Sequence, residues 1–282
     1  MAKGKQAKRT IRTFDGARIS RRTDYLTVEE PLEIQLRAGG ERRVAAITMR
    51  TPGNDYELAA GFLYTEGLIA AKPDITRMIY CTDGDAARQE YNALAVYLHR
   101  AALPDLPSLD RHFFTNSACG VCGRVMLDEL ADRELPALGE GPRVTPATLA
   151  DLPTTLRQAQ PMFDATGGLH AAALMDVEGT LLAVREDVGR HNALDKLVGW
   201  ALLNGHLPFT DKLIMVSGRA SYELLYKARI AGAPILCAVS APSSLAVDLA
   251  ERFGMTLIGF LRGARFNVYT GDARVSKPAA MQ

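Results

Sequence analysis

The chain has 282 residues, 48% of them hydrophobic, and its 33 basic and 32 acidic side chains leave a net charge of +1. This length and composition exclude a disordered or fibrous chain and allow one large globular core or two smaller ones. Four cysteines, two of them only three residues apart, do not form a disulfide framework, so we expect a reducing, cytoplasmic environment. The basic N-terminus lacks the apolar core of a signal peptide, and two prolines interrupt the uncharged stretch 230–247, so no membrane span is expected.

Positive charge is concentrated at the start of the chain. Residues 1–22 hold eight of the 33 basic side chains and one of the 32 acidic ones, which leaves 25 basic and 31 acidic side chains in the remainder. Such a segment is typical of a solvated, disordered tail, and this is the structure we expect. A basic arm that contacts an acidic partner or nucleic acid is the alternative. No basic patch interleaved with aromatic residues follows, so we expect no nucleic-acid binding.

Residues 23–110 have the pattern of a smaller α+β part. Alternating apolar residues on both sides of Gly39-Gly40 predict a β-hairpin. Asn54, with Glu57 three residues later, has the spacing of a capped helix start. The strands predicted in this part cover residues 32–36, 44–49, 75–81 and 93–98.

Two of the four cysteines, Cys119 and Cys122, lie in a loop of small residues that runs into a helical pattern at 125–130. A helix N-terminus and the neighbouring Arg124 would stabilise a thiolate, which is the nucleophilic form of cysteine. A redox or sulfur-carrying thiol is therefore one interpretation. Half of a zinc site and a pair of small buried residues are two others. A zinc site would need ligands from separate segments, and the candidates are Cys81, Cys237, His170 and His191.

Strands and helices alternate in the last third of the chain. Strands are predicted at 169–177, 181–184, 213–216, 235–239 and 256–260, and helices at 147–160, 192–203, 222–231 and 244–253. Such alternation predicts right-handed βαβ units, a parallel sheet and helices on both of its faces. We therefore expect an α/β domain over residues 111–275 that carries the Cys-x-x-Cys loop.

Parallel strands bring their carboxyl ends to one edge of the sheet, where ligands bind. Four predicted loops share that edge, and they cover residues 185–191, 217–219, 240–244 and 260–265. Together they contain five arginines, four serines and several glycines, which suit a phosphorylated or otherwise anionic ligand. His191 begins a helix there, so a structural hydrogen bond is as plausible for it as catalysis.

An ordered set of motifs resembles the FdhD family, the accessory sulfurtransferases of formate dehydrogenases. The matching stretches are residues 52–63, Cys119-Gly120-Val121-Cys122-Gly123, and residues 166–172, 185–193, 216–219, 240–243 and 266–269. A lone Cys-x-x-Cys motif would be weak support. The full set spans nearly all of the chain after its basic start.

The resemblance implies a cytidine-deaminase-like, three-layer α/β/α domain behind the smaller N-terminal α+β part. It also implies that Cys119 is the persulfide cysteine, with Cys122 assisting transfer or sealing Cys119 as a disulfide. The segment that the family assigns to the guanine-dinucleotide form of the molybdenum cofactor corresponds to Phe260, Leu261, Arg262, Gly263, Ala264 and Arg265. Cys81 and Cys237 lie in apolar strand patterns and are predicted to be packing residues.

By this resemblance the protein takes sulfur from a cysteine desulfurase and passes it to Mo-bis(molybdopterin guanine dinucleotide). The transfer precedes insertion of that molybdenum cofactor into formate dehydrogenase, and a homodimer is expected. The His-x-Glu element that accompanies the zinc cysteines of deaminases is not found ahead of Cys119, so neither zinc nor deamination is expected. The alternative function is a non-enzymatic chaperone that only binds the cofactor and the apoenzyme.

Overall fold

The structure is a computed structural model, and it describes residues 4–81, 91–103 and 135–277. Its strands are β1 (Gln6–Asp15), β2 (Arg18–Thr27), β3 (Glu30–Ala38), β4 (Glu41–Arg50), β5 (Ile75–Tyr80), β6 (Ala93–Leu98), β7 (His170–Met175), β8 (Leu181–Asp187), β9 (Leu213–Val216), β10 (Ile235–Ala238), β11 (Thr256–Arg262) and β12 (Arg265–Thr270). Its α-helices are α1 (Asp55–Thr65), α2 (Pro146–Gln158), α3 (Pro161–Thr166), α4 (Arg190–Asn204), α5 (Tyr222–Ile230) and α6 (Ser244–Arg252).

The basic N-terminal segment is a β-hairpin, which corrects the disordered tail expected over residues 1–22. β1 pairs with β2 in antiparallel register from Gln6 opposite Thr27 to Asp15 opposite Arg18. The turn between them is the two-residue loop Gly16-Ala17, and Gly16 has φ of 56°, in the left-handed region that glycine adopts freely. A two-residue loop with glycine at its first position is a favoured hairpin connection, and here it outweighs the high charge.

The predicted α+β part is a four-stranded sheet in the order β4-β3-β6-β5 with α1 packed on it. The hairpin at Gly39-Gly40 is confirmed, since Ala38 pairs with Glu41 across that turn. Asn54 does precede α1, but its side chain makes no capping hydrogen bond because its backbone is left-handed, with φ of 60°. The predicted capping role of Asn54 is therefore wrong.

The second sheet has six strands in the order β12-β11-β10-β9-β7-β8. β9, β10 and β11 are parallel as predicted. β7 and β12 run antiparallel to their neighbours, so the sheet is mixed rather than parallel throughout. Helices α4, α5 and α6 cover one face and α2 covers the other, each over a completely buried apolar core. The three-layer α/β/α arrangement is thus confirmed.

The two sheets belong to one body because α1 crosses α4 with their backbones in contact. A Cβ atom added at Gly61 would lie 1.8 Å from the carbonyl oxygen of Asp195, and one added at Gly199 would lie 1.8 Å from that of Glu57. Only glycine permits this approach. At the same contact between α1 and α4, the buried Asp195 carboxylate accepts hydrogen bonds from Thr65 at 3.0 Å and from Lys227 at 2.9 Å.

Neither of the two described cysteines is placed for chemistry at the sheet edge. Cys237 is completely buried in β10, where burial raises the pKa of its thiol to about 12. Cys81 is half-buried beside Gln35, whose side-chain oxygen lies 3.5 Å from the Cys81 sulfur. Within the described ranges, no helix is long and apolar enough to cross a membrane.

Candidate functional site: a cationic edge of the six-stranded sheet

The loops that were predicted to meet at one edge of the sheet do meet there. β8, β9, β10 and β11 all end on the same edge, because β7 runs antiparallel to both of its neighbours. Backbone hydrogen bonds join three of the four loops: the Ser240 N–H donates to the Gly218 carbonyl, and the Phe260 N–H donates to the Ser240 carbonyl. The loops after β9, β10 and β11 therefore form a continuous surface.

His170 lies at the centre of this edge, as the first residue of β7. Its imidazole closely covers Gly218, since a Cβ added at Gly218 would lie 3.2 Å from Nδ1 of His170. Burial lowers the pKa of His170, and the positive charges of Arg190, His191 and Arg219 lower it further, against the opposing effect of Asp187. His170 is therefore neutral at pH 7 in a positive field, and that field favours a bound anion.

His191 is held by a carboxylate that the sequence reasoning did not identify. Its Nε2 lies 2.7 Å from Oε2 of Glu223 and 3.3 Å from Oγ of Ser221. Burial would raise the pKa of Glu223, but the hydrogen bond and charge of His191, with Lys227 and Arg190, bring it below its ordinary value. Glu223 and Ser221 both contact the same nitrogen of His191. In a catalytic triad, the carboxylate and the serine contact opposite nitrogens of the histidine ring. Ser221 is therefore the cap of α5 rather than a nucleophile.

The predicted arginines differ in what they can contact. Arg185 donates to both carboxylate oxygens of Glu57 at 2.5 and 2.8 Å, so it ties β8 to α1 and is not available to a ligand. Arg190 has a buried Nε that finds no acceptor among the described residues. Arg219 is exposed on the loop after β9. Two cationic side chains thus remain beside His170.

The predicted cofactor segment 260–265 forms the end of β11, a two-residue turn and the start of β12. Arg262 pairs with Arg265 across Gly263-Ala264, and both arginines are exposed. Phe260 is 39% exposed and has φ of 52°, a strained value for a residue with a side chain. Leu261 is completely buried in the core on the α2 side, so its side chain anchors the hairpin. All members of the segment except Leu261 are exposed, and Phe260, Arg262 and Arg265 are the ones with large side chains.

The predicted nucleophile and its neighbour, Cys119 and Cys122, lie outside the described residues. Of the proposed partners for a zinc site, Cys237 is completely buried among apolar side chains in the core on the α2 side. Among residues 4–81, 91–103 and 135–277, no cluster of three histidine, cysteine or acidic side chains could hold a metal ion.

A family model described as FdhD/NarQ matches residues 27–276. The chain belongs to the FdhD/NarQ family. This membership confirms the resemblance read from the ordered motifs, and it places all of the cationic edge within the part that the family shares.

Relatives in this family are similar to the chain over nearly its full length. A protein of Streptomyces coelicolor named sulfur carrier protein FdhD is 50% identical over 285 residues, which cover 100% of this chain and 99% of the relative. A protein of Nocardia farcinica with the same name is 51% identical over 97% of this chain and 95% of its own length.

The same fold occurs in a crystal structure from Desulfotalea psychrophila, of a protein described as a candidate formate dehydrogenase accessory protein. The TM-score is 0.75 at 24% identity, with 96% of this chain and 100% of that chain covered. This likeness supports the mixed α/β architecture.

Proposed function

We propose that this FdhD/NarQ member is a sulfurtransferase that carries sulfur as a persulfide on Cys119. The observation that carries the proposal is the similarity, at about half identity over the full length, to proteins named sulfur carrier protein FdhD. The sulfur donor is a cysteine desulfurase, and the acceptor is Mo-bis(molybdopterin guanine dinucleotide) destined for formate dehydrogenase. The reaction belongs in the cytoplasm, where thiols stay reduced.

Loading is an exchange between sulfur atoms. The Cys119 thiolate attacks the outer sulfur of the desulfurase persulfide, the sulfur–sulfur bond breaks, and the desulfurase cysteine leaves as a thiolate. Release can use Cys122, whose thiolate attacks the inner sulfur of the Cys119 persulfide. A Cys119–Cys122 disulfide then forms, and the outer sulfur leaves as hydrosulfide. The two cysteines supply the two electrons that reduce the outer sulfur to hydrosulfide. A cellular thiol then reduces the Cys119–Cys122 disulfide.

The cationic edge is the proposed holding site for the sulfur acceptor. Its guanine dinucleotide arms carry diphosphates, which suit arginine forks and exposed backbone N–H groups. Arg262 and Arg265 lie at the turn after β11, and Arg190 and Arg219 lie beside His170. The exposed ring of Phe260 offers a face on which a guanine base could stack.

Binding of GDP tests this site, because GDP contains the nucleotide end of the acceptor. Loss of one arginine that bonds a phosphate typically costs about 1.5–3 kcal/mol, or roughly ten- to a hundredfold in affinity. Arg262→Ala or Arg265→Ala should therefore weaken GDP binding by that factor in calorimetric titrations, while Arg252→Ala on the exposed end of α6 should not. Unchanged affinity for GDP in both turn variants would show that segment 260–265 does not bind the nucleotide.

A non-enzymatic chaperone is the rival function, because the cationic edge would serve it equally well. The two functions differ in their need for the thiol. A reconstituted maturation assay with Cys119→Ser should give inactive formate dehydrogenase although the variant still binds GDP, whereas Cys81→Ala should support maturation. Normal maturation by a folded Cys119→Ser variant would establish the chaperone instead.

A further inference from the structure

A cavity of about 180 Å³ lies where the start of the β1–β2 hairpin meets the loop before α1, the connection between α2 and α3, and β8. Of its lining residues, Leu169 and Lys196 are buried, whereas Lys5 and Asn54 are exposed, so the first two form the floor and the last two the mouth. An apolar cavity of about 150 Å³ is large enough to hold benzene. This cavity therefore has room for a small organic molecule.

Much of the cavity wall is apolar. Four separate parts of the chain contribute apolar side chains to it: the loop before α1, the connection between α2 and α3, the residue before β7, and β8. These side chains are Pro52, Ala159, Pro161, Met162, Leu169 and Val184. Water held against such a wall makes few hydrogen bonds, so an apolar ligand body displaces it favourably.

The polar groups that remain open to a ligand are mainly hydrogen-bond donors. Within the described residues, the side chains of Lys5 and Asn54 make no hydrogen bond or ion pair. The Lys196 ammonium donates to the Thr51 carbonyl at 2.9 Å and pairs with Asp187 at 2.6 Å. One of its three N–H groups thus has no acceptor in the described part of the chain.

The carboxylates around the cavity already have donors. The Glu186 side chain accepts hydrogen bonds from the Met162 N–H at 3.2 Å and from the Phe163 N–H at 2.9 Å. Asp187 is paired with Lys196. The polar end of a ligand must therefore be an acceptor, and hydrogen bonds from ammonium groups are strongest to a charged acceptor.

The two lysines act on the same space. Burial lowers the pKa of Lys196, and the positive charge of Lys5 lowers it further, against the opposing effects of Asp187 and Asp55. An anion in the cavity offsets the repulsion between the two ammonium groups, whereas a cation is repelled by both. Glu186 and Asp187 limit the surplus of positive charge, so a single negative charge suits the site.

We propose that this cavity binds a small organic carboxylate whose apolar body completes a molecule of about five to ten non-hydrogen atoms. Its carboxylate lies against Lys5, Asn54 and Lys196, and its body lies against the apolar wall. The bound molecule connects the start of the hairpin, the loop before α1 and α4, and it stabilises their arrangement. The site goes beyond the proposed function, because it needs neither Cys119 nor the cationic edge.

Benzoate is a suitable probe, because it combines a carboxylate with an apolar ring. Benzyl alcohol and benzylamine carry the same ring with an uncharged and a cationic end. In full-length protein labelled with ¹³C at the methionine methyl groups, benzoate should shift the Met162 resonance, assigned with Met162→Leu. The shift should saturate with a Kd of about 1 mM or lower. Benzyl alcohol, benzylamine and inorganic phosphate should each bind at least about tenfold more weakly.

Lys5→Met removes the charge at the mouth and retains an apolar side chain of similar length. It should weaken benzoate binding about tenfold or more and leave the affinity for benzyl alcohol unchanged. Lys8→Met, which removes another exposed charge from the same hairpin, is the matched control and should bind benzoate as the wild type does. Ala159→Leu fills part of the cavity and should weaken the binding of benzoate and benzyl alcohol alike.

The proposal is overturned if benzoate causes no saturable shift up to roughly ten times the expected Kd. It is also overturned if benzyl alcohol, benzylamine or phosphate binds as tightly as benzoate, or if Lys5→Met affects benzoate no more than Lys8→Met does. Calorimetric titration with GDP separates the cavity from the cationic edge. Unchanged GDP affinity in Lys5→Met supports a site of its own, whereas equal losses for GDP and benzoate would assign the cavity to the nucleotide site and overturn the proposal.

Discussion

At the scale of single residues, the cationic edge depends on side chains that come from distant positions in the sequence. His170 begins β7, Arg190 begins α4 and Arg219 follows β9. Burial lowers the pKa of His170, and the positive charges of Arg190, His191 and Arg219 lower it further. The sequence motifs contained each of these residues. The partner of His191, Glu223, was not predicted, because as the second residue of α5 it has no local pattern that distinguishes it from an ordinary first-turn acid.

The lowered pKa of His170 gives the edge a testable pH dependence. Without ligand, His170 binds a proton more readily in the unfolded chain than in the folded protein. The free energy of unfolding therefore declines as the pH falls from the ordinary imidazole pKa of about 6.5 through the lower pKa of the folded state. A bound diphosphate offsets the repulsion from Arg190, His191 and Arg219, so it should raise the pKa of His170. GDP should therefore bind more tightly as the pH falls below about 7.

Calorimetric titrations in buffers of different ionisation enthalpy would detect the coupled proton uptake. His170→Gln should abolish most of the uptake, and His206→Gln, whose ring stacks on Trp200 with a centroid distance of 4.8 Å, should leave it intact. Equal uptake in both variants would mean that another group responds to the ligand.

At the scale of elements, the predicted strands and helices match the structure where hydrophobic residues recur with regular spacing. They differ from it where a short turn determines that a strand follows. The alternation after residue 181 predicted β9, β10 and β11 within two residues at each end. β12 was missed, because its six residues follow β11 after only two turn residues. The β1–β2 hairpin was missed because the density of charge in residues 1–22 was given more weight than the glycine of the Gly16-Ala17 turn.

The crossing of α1 over α4 is the contact between elements that periodicity could not predict. Gly199 has no left-handed φ to explain it, and its role is the approach of the α1 backbone. Gly199→Ala should force the helices apart and destabilise the protein by about 1–3 kcal/mol or more, as overpacking does. Gly139→Ala is a suitable control, because a Cβ there would have no neighbour within 4 Å. Urea denaturation that gives equal midpoints for the two variants would contradict the close crossing.

At the scale of the whole molecule, buried polar contacts fasten the N-terminal part to the domain that carries the cationic edge. Asp187 is the last residue of β8 and is completely buried. Its carboxylate forms an ion pair with Lys196 at 2.6 Å and accepts a hydrogen bond from the Thr51 N–H at 3.1 Å. Lys196 also donates to the Thr51 carbonyl at 2.9 Å. The sequence indicated two parts, but it could not reveal that charged residues join them.

Removal of the cation at this junction should be costly. Lys196→Met leaves the Asp187 carboxylate buried without its counter-ion, for which a loss of about 3–5 kcal/mol is typical. Asp187→Asn in the same chain should restore part of that loss, because the charge disappears. Lys212→Met, which breaks a surface pair with Asp211, should cost less than about 1 kcal/mol. The comparison would be made by equilibrium unfolding in urea, and equal losses for Lys196→Met and Lys212→Met would show that the junction is not buried as described.

Intact-protein and peptide mass spectrometry after incubation with a cysteine desulfurase and cysteine test most directly whether Cys119 carries the sulfur. We expect the peptide that contains Cys119 to gain one sulfur atom, which a reducing thiol removes. We expect no gain in Cys119→Ser and a normal gain in Cys81→Ala. A wild-type protein that gains no sulfur, or a Cys119→Ser variant that gains it to the same extent, would show that Cys119 is not the sulfur carrier.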